Sequence, residues 1–301
     1  MLRFASMIIA ALALSVAPVS AQQANGGPLS VVATFSILGD FARNVGGDRV
    51  SVTMLVGPNS DTHVYTPTPS DAKEITDAKL VIVNGLGLEG WLPRLIKSSG
   101  SKAATVVATR GIATRKIENG HDHGPGDADP HAWQSVLNAK TYVANIRDAL
   151  TAVDPAGADA YRANAAAYLA RLDALDREIR EALAKIPPER RSVISTHDAF
   201  GYFAAAYGIK FIAPQGVSTE SEPSARDIAA IITQIKRQKI PAVFLENVSD
   251  PRLMRRIAAE TGANIGGTLY SDSLTDEKGP APTYIDMVRH NIKALTSALS
   301  S

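Results

Sequence analysis

The sequence contains no cysteine, so no disulfide can staple the fold and no thiolate can bind metal. A chain of 301 residues is long enough to rest on its own hydrophobic core instead. The same absence removes the residue that would carry a lipid at a new N-terminus, so no lipid anchor is expected. An excess of charge is also missing, because 31 Lys+Arg against 30 Asp+Glu leave a net charge of +1. That balance implies neither nucleic acid nor an anionic membrane surface as a partner. Beyond the N-terminus no run is apolar enough to span a bilayer, so membrane insertion is not expected.

The N-terminus has its own pattern. Arg3 supplies a positive n-region, Met7 to Val16 an apolar stretch, and Val19-Ser20-Ala21 small residues at a cleavage site. The stretch is short of the ~20 residues a spanning helix needs, and Pro18 interrupts its end. Residues 1–21 therefore read as a cleaved export signal, and the mature chain as a periplasmic monomer.

Short apolar, β-branched runs alternate with helical patterns along the chain. In the first half they are Val31–Phe35, Val52–Val56, Leu80–Val83 and Thr105–Val107; in the second, Val193–Ser195, Lys210–Ile212, Val243–Leu245 and Asn264–Leu269. Such runs separated by helices predict parallel βαβ units. Between the two groups, Tyr161, Ala165, Tyr168, Leu172, Leu175, Ile179 and Leu183 recur at spacings of three and four, as on one face of a helix. Asp154-Pro155-Ala156-Gly157 precedes this pattern and Pro187-Pro188 stops it. The expected architecture is α/β: two (βα)4 lobes at 28–157 and 190–301, joined by one long rigid helix over 158–187, with an ordinary surface helix of the first lobe as the alternative for that segment.

Gly85-Leu86-Gly87-Leu88-Glu89-Gly90 matches the G-x-G-x-x-G dinucleotide fingerprint. It follows the third strand instead of the first, and no acidic residue ends the next strand to hold a ribose. A glycine-rich turn is the better reading.

Histidine carries the chemistry. His63 follows the second strand, His131 the fourth strand and a Gly-rich loop, and His197 the first strand of the second lobe; Asp272 follows that lobe's last strand. Taken singly, each has an ordinary explanation as a loop hydrogen bond or cap. Carboxyl ends of parallel strands face one crevice, however, so these four can converge between the lobes. Three imidazoles and one carboxylate complete a four-coordinate metal site without cysteine. His121 and His123 lie in a Gly- and Pro-rich acidic stretch, Asn119 to Asp127, which reads as an auxiliary metal-gathering loop. His290 falls in a helical pattern and reads as structural.

The stretches Asp61 to Asp71, Asp129 to Trp133, His197 to Phe203 and Tyr270 to Asp272 resemble, in order, the four metal motifs of the zinc/manganese solute-binding proteins of ABC transporters (cluster A-I, zinc type). The resemblance implies a metal buried between the lobes and delivered to an ABC permease, with His63, His131, His197 and Asp272 in the ligand places. Thr62 stands where Pro is common and Thr66 where Glu is common, and the histidine loop is shorter than in many zinc members.

In manganese-binding relatives the third ligand place is usually Glu, whereas here it is His197, so Zn²⁺ is the expected cargo and Mn²⁺ the alternative. A zinc hydrolase is the rival from another class. No H-E-x-x-H helix is present, and Glu220 and Glu222 fall in a polar loop before a helix capped by Ser224. A stand-alone metal buffer without a permease is the third reading.

Overall fold

A computed structural model describes residues 27–117 and 128–300. The expected export signal at 1–21 lies outside these residues. Among the described residues, no helix is long and apolar enough to cross a membrane.

The first lobe runs β1 (Leu29–Phe35), α1 (Ser36–Gly46), β2 (Val50–Val56), α2 (Pro69–Asp77), β3 (Leu80–Val83), α3 (Leu92–Ser99) and β4 (Ala104–Val107). Two helices follow, α4 (Val136–Val153) and α5 (Ala158–Ala184). The second lobe runs β5 (Ser192–Ile194), α6 (Gly201–Tyr207), β6 (Lys210–Ile212), α7 (Ala225–Gln238), β7 (Ala242–Glu246), α8 (Arg252–Thr261), β8 (Asn264–Leu269) and α9 (Tyr284–Leu299). Every expected strand is present, with ends shifted by no more than two residues.

Both sheets are parallel, with orders β2-β1-β3-β4 and β6-β5-β7-β8. In each, the chain leaves the first strand to one side and returns to pair on the other. That reversal opens a crevice at the carboxyl ends, where the flanking loops diverge. The central strands explain their own composition: Val31 to Phe35 and Leu80 to Val83 are buried on both faces, so they read as continuous apolar runs and not as alternation.

Helix α5 has 27 residues, which at 1.5 Å per residue makes it about 40 Å long. Its buried side chains are Tyr161, Ala165, Tyr168, Leu172, Leu175, Ile179 and Leu183, the face that the spacing predicts. Burying each large apolar one stabilises the fold by roughly 1.5–3 kcal/mol. The helix is not the sole tie between the lobes. Asp40 of α1 accepts from the Tyr168 hydroxyl of α5 at 3.2 Å and from the backbone N–H of Tyr284, which opens α9, at 3.0 Å. Phe41 packs on Tyr284 at 4.8 Å and on Tyr142 at 5.7 Å, so one core runs beneath both sheets. A shared core resists wide hinge opening.

The glycine-rich stretch is a turn. Gly85 and Gly87 have φ of 82° and 84°, and Leu86 is also left-handed at 56°. Buried Glu89 holds it, accepting from the N–H groups of Asn84 at 2.6 Å and Gly85 at 3.1 Å and from Thr34 at 2.6 Å. Ser224 caps α7 through a reciprocal pair with Asp227, which leaves Glu220 and Glu222 in the loop before it, as expected.

Candidate metal centre

The crevices of the two lobes face each other, and four side chains meet between them. One donor atom from each of His63, His131, His197 and Asp272 lies within 4.8 Å of every other. His197 Nε2 is 3.1 Å and His63 Nε2 3.4 Å from Asp272 Oδ2, and His131 Nε2 is 3.6 Å from Oδ1. His63 Nε2 and His131 Nε2 are 3.2 Å apart. A tetrahedral ion with bonds of about 2.0–2.1 Å holds its donors roughly 3.3–3.4 Å apart, so the cluster has the spacing of a coordination shell. Asp272, His131 and His197 are fully buried, and His63 is 8% exposed.

Local structure explains how each side chain arrives. His131 leads into a 3₁₀ turn, Ala132–Gln134, whose Trp133 and Gln134 side chains donate to the carbonyl of Ser271 at 2.8 and 2.7 Å. This places the His131 loop against the Asp272 loop. His63 sits in a loop tethered by Trp91, whose indole N–H donates to the Thr62 carbonyl at 2.9 Å. Thr62, a departure from the motif the sequence resembles, is buried, and the loop still delivers His63 to the cluster. His197 follows β5 and pairs with Gln215 in an isolated bridge.

Two rings are oriented by carboxylates on their far nitrogens. His131 Nδ1 lies 2.9 Å from Asp129 Oδ1, and His197 Nδ1 lies 2.5 Å from Glu246 Oε2. Glu246 also accepts from the N–H groups of Thr196 and His197 at 2.7 and 3.1 Å and from Ser271 Oγ at 2.9 Å. Such partners fix the ring plane and tautomer and raise the basicity of a metal-binding nitrogen. The sequence reading missed both roles. Asp129 had a signal, lying two residues before His131 in the same motif; Glu246 had a fainter one, a carboxylate ending a buried strand at the crevice.

The electrostatics suit a cation. Burial disfavours a charged His197 ring, but Glu246 and Asp272 outweigh it and hold the pKa well above the ordinary value. Burial likewise pushes Asp272 up, and the charges of His197 and His131 overcome it and hold the carboxyl well below the usual range. Within the protein, His197 Nε2 and both Asp272 oxygens are buried without a well-formed hydrogen bond. Buried polar atoms in that condition are costly unless something satisfies them. A divalent ion fits the donor set and the spacing.

The remaining histidines separate from this cluster. His290 Nε2 lies 3.1 Å from the Thr268 carbonyl and its ring packs on Tyr270 at 4.9 Å, so it is structural. His121 and His123 lie outside the described residues.

Comparison with known proteins identifies the family and the fold. A family model described as "Zinc-uptake complex component A periplasmic" (ZnuA) matches residues 31–298. The chain is 38% identical over 265 residues to the "Iron-binding protein YfeA" of Yersinia pestis, covering 88% of this chain and 84% of that one. It is 36% identical over 299 residues to the "Manganese-binding lipoprotein MntA" of Halalkalibacterium halodurans, covering 98% of each. The solved structure of the periplasmic zinc binding protein TroA from Treponema pallidum superposes with a TM-score of 0.85 at 31% identity, over 92% of this chain and all of that one. The chain belongs to the ZnuA family, the metal-binding solute-binding proteins of ABC transporters, which are transport components and not enzymes.

Proposed function

We propose that this protein captures one Zn²⁺ ion in the periplasm, holds it with His63, His131, His197 and Asp272, and delivers it to an ABC-type permease. The observation that carries this reading is the buried cluster of three imidazole Nε2 atoms around a carboxylate whose two oxygens find no protein donor in good geometry. Imidazole nitrogen favours Zn²⁺ over Mn²⁺, and a fourth protein ligand closes the position that a catalytic zinc site keeps for water. The signal-like pattern of residues 1–21 supports export to the periplasm. We read the protein as a monomer.

Capture needs neutral rings and an ionised carboxylate. A metal-bound His197 ring must be neutral, whereas Glu246 and Asp272 favour its charged form, so uptake exchanges protons for metal. The long α5 and the shared core disfavour wide opening, so release proceeds by moving a loop ligand. His121 and His123 serve as a weaker gathering loop.

A second reading, Mn²⁺ as cargo, is favoured by the relatives named for manganese and iron at 36% and 38% identity. The deciding experiment measures the metal content of protein purified from its own periplasm, together with competition between Zn²⁺ and Mn²⁺ for the metal-free chain. The proposal expects about one zinc per chain and a strong zinc preference. Manganese or iron as the dominant native metal would replace zinc in this account.

A further inference from the structure

A cleft of about 500 Å³ opens beside the metal centre, lined in part by Asp61, Thr196, Gln215, Thr219, Glu222 and Arg252. Thr196 precedes His197 and Asp61 lies two residues before His63, so the cleft reaches the backs of both ligand loops. At its rim, Thr219 Oγ1 of the second lobe donates to Asp61 Oδ2 of the first at 2.7 Å, across 158 residues of sequence. The other Asp61 oxygen, Oδ1, accepts from the backbone N–H of His63 at 2.9 Å. One carboxylate thus shapes the His63 turn and grips the opposite lobe.

The far end of this bond leads to His197. Gln215 Nε2 donates to the carbonyls of Thr219 at 3.1 Å and Ser221 at 2.9 Å, fixing the loop that carries the Thr219 hydroxyl. The Gln215 backbone N–H donates to the Thr196 carbonyl at 3.3 Å, and Gln215 bridges His197 in parallel fashion. A continuous path therefore runs from His63 through Asp61, Thr219 and Gln215 to His197.

His63 is where such a path matters most. It is 8% exposed while the other three ligand-place residues are fully buried. His131 and His197 are oriented by Asp129 and Glu246 on their rings, whereas Asp61 positions His63 through its backbone.

We infer that Thr219 is a positioning residue: its hydroxyl latches the His63 loop to the second lobe across the cleft rim and sets how fast bound metal leaves. The inference rests on the metal-capture reading above. Moving the His63 loop aside breaks this short hydrogen bond from a hydroxyl to a side-chain carboxyl oxygen. Removing the hydroxyl frees the loop without touching a donor atom or the core, and such changes act mainly on dissociation rates.

The test follows Zn²⁺ release from the full chain into excess chelator by stopped flow, for wild type, Thr219→Val and Thr219→Ser. Valine keeps the shape and loses the donor; serine keeps the donor. Release should quicken about tenfold or more in Thr219→Val and stay within about twofold of wild type in Thr219→Ser. Both should still take up one equivalent, with unchanged melting of the metal-free protein. Asp61→Ser severs the latch from the other side, since serine can still accept from the N–H two residues on but is too short to reach Thr219. It should quicken release as much, and the double variant no further, because both remove one interaction. Release from Thr219→Val at the wild-type rate, release from Thr219→Ser as fast as from valine, or additive effects in the double variant would each overturn the latch. Should Thr219→Val fail to fold, Asp61→Ser decides alone, and wild-type release from it overturns the latch equally. Failure of the wild type to bind one tight equivalent would instead overturn the metal-capture reading.

Discussion

The two lobes share a strand order yet hold their halves of the metal centre differently. In the second lobe, His197 lies just past β5, bridged to Gln215, and its orienting Glu246 is the last residue of β7, the strand paired with β5, so the partner comes from a neighbouring strand of the same sheet. In the first lobe, His63 and His131 both lie on loops, and their partners Asp61 and Asp129 sit two residues away in the same loops. Much of what holds the first-lobe loops comes from across the cleft: Tyr202 donates to the Asp129 carbonyl at 3.0 Å, and Thr219 to Asp61 at 2.7 Å. In the proposed site, the second lobe would therefore present the more fixed half, and the first lobe the loop side chains that complete it. Transport needs both, because a site rigid on both sides would bind well and release slowly.

Ligand removal should break this comparison most strongly. Asp272→Ala removes the anionic donor and leaves three buried imidazoles, so zinc affinity should fall by on the order of a thousandfold, or about 4 kcal/mol. His197→Ala should approach that loss, while His63→Ala should lose on the order of tenfold to a hundredfold, since water can reach the vacancy at the exposed edge. Competition against a chromophoric chelator, with circular dichroism as the folding control, measures all three. Equal losses for His63→Ala and His197→Ala would erase the distinction between the lobes. His197→Glu should also shift preference toward Mn²⁺, because it exchanges an imidazole for a harder carboxylate.

The orienting carboxylates give the next effect. Glu246→Gln should weaken binding about 10–100-fold, the usual range for such partners. Asp129→Asn should cost less, because Asp129 makes fewer hydrogen bonds than Glu246 and sits on a loop also pinned through Trp133. The reverse ranking would move the rigid half of the site to the first lobe.

Proton linkage follows from His197. Glu246 and Asp272 raise its pKa and so favour the charged ring in the metal-free protein, while a metal-bound ring must be neutral. Binding should release protons, tighten as pH rises toward the elevated His197 pKa, and weaken as pH falls from 7.5 to 5.5. Calorimetry in buffers of different ionisation enthalpy reads the proton count directly. An affinity flat across that window contradicts a histidine-rich site.

The smallest expected effect is that of the histidine loop. Deleting Gly120 to Asp127 should change equilibrium affinity by less than about tenfold and slow capture under metal scarcity instead. A larger loss in a titration would make His121 or His123 part of the main site.

Much of this was legible in the sequence because parallel sheets write themselves locally. Continuous apolar runs located the strands to within two residues, and the spacing from Tyr161 to Leu183 gave the buried face of α5. The residues that converge were legible because each follows the carboxyl end of a strand. What stayed hidden depends on contacts between distant segments. Glu246 is 49 residues from the ring it orients, and Thr219 is 158 residues from Asp61. Asp40 reads as one polar residue in a helix, yet it joins α1, α5 and α9. Such pairings arise from which strands neighbour one another in a sheet and from where the lobes meet, which no local pattern encodes.

Whether one ion is held by both lobes is read directly from a crystal structure of the protein grown with Zn²⁺, with anomalous data collected on both sides of the zinc edge. A single strong peak is expected about 2.0–2.2 Å from the Nε2 atoms of His63, His131 and His197 and from an Asp272 oxygen. A peak held by ligands of one lobe alone, or seated at His121 and His123 with the cleft empty, would contradict a shared site.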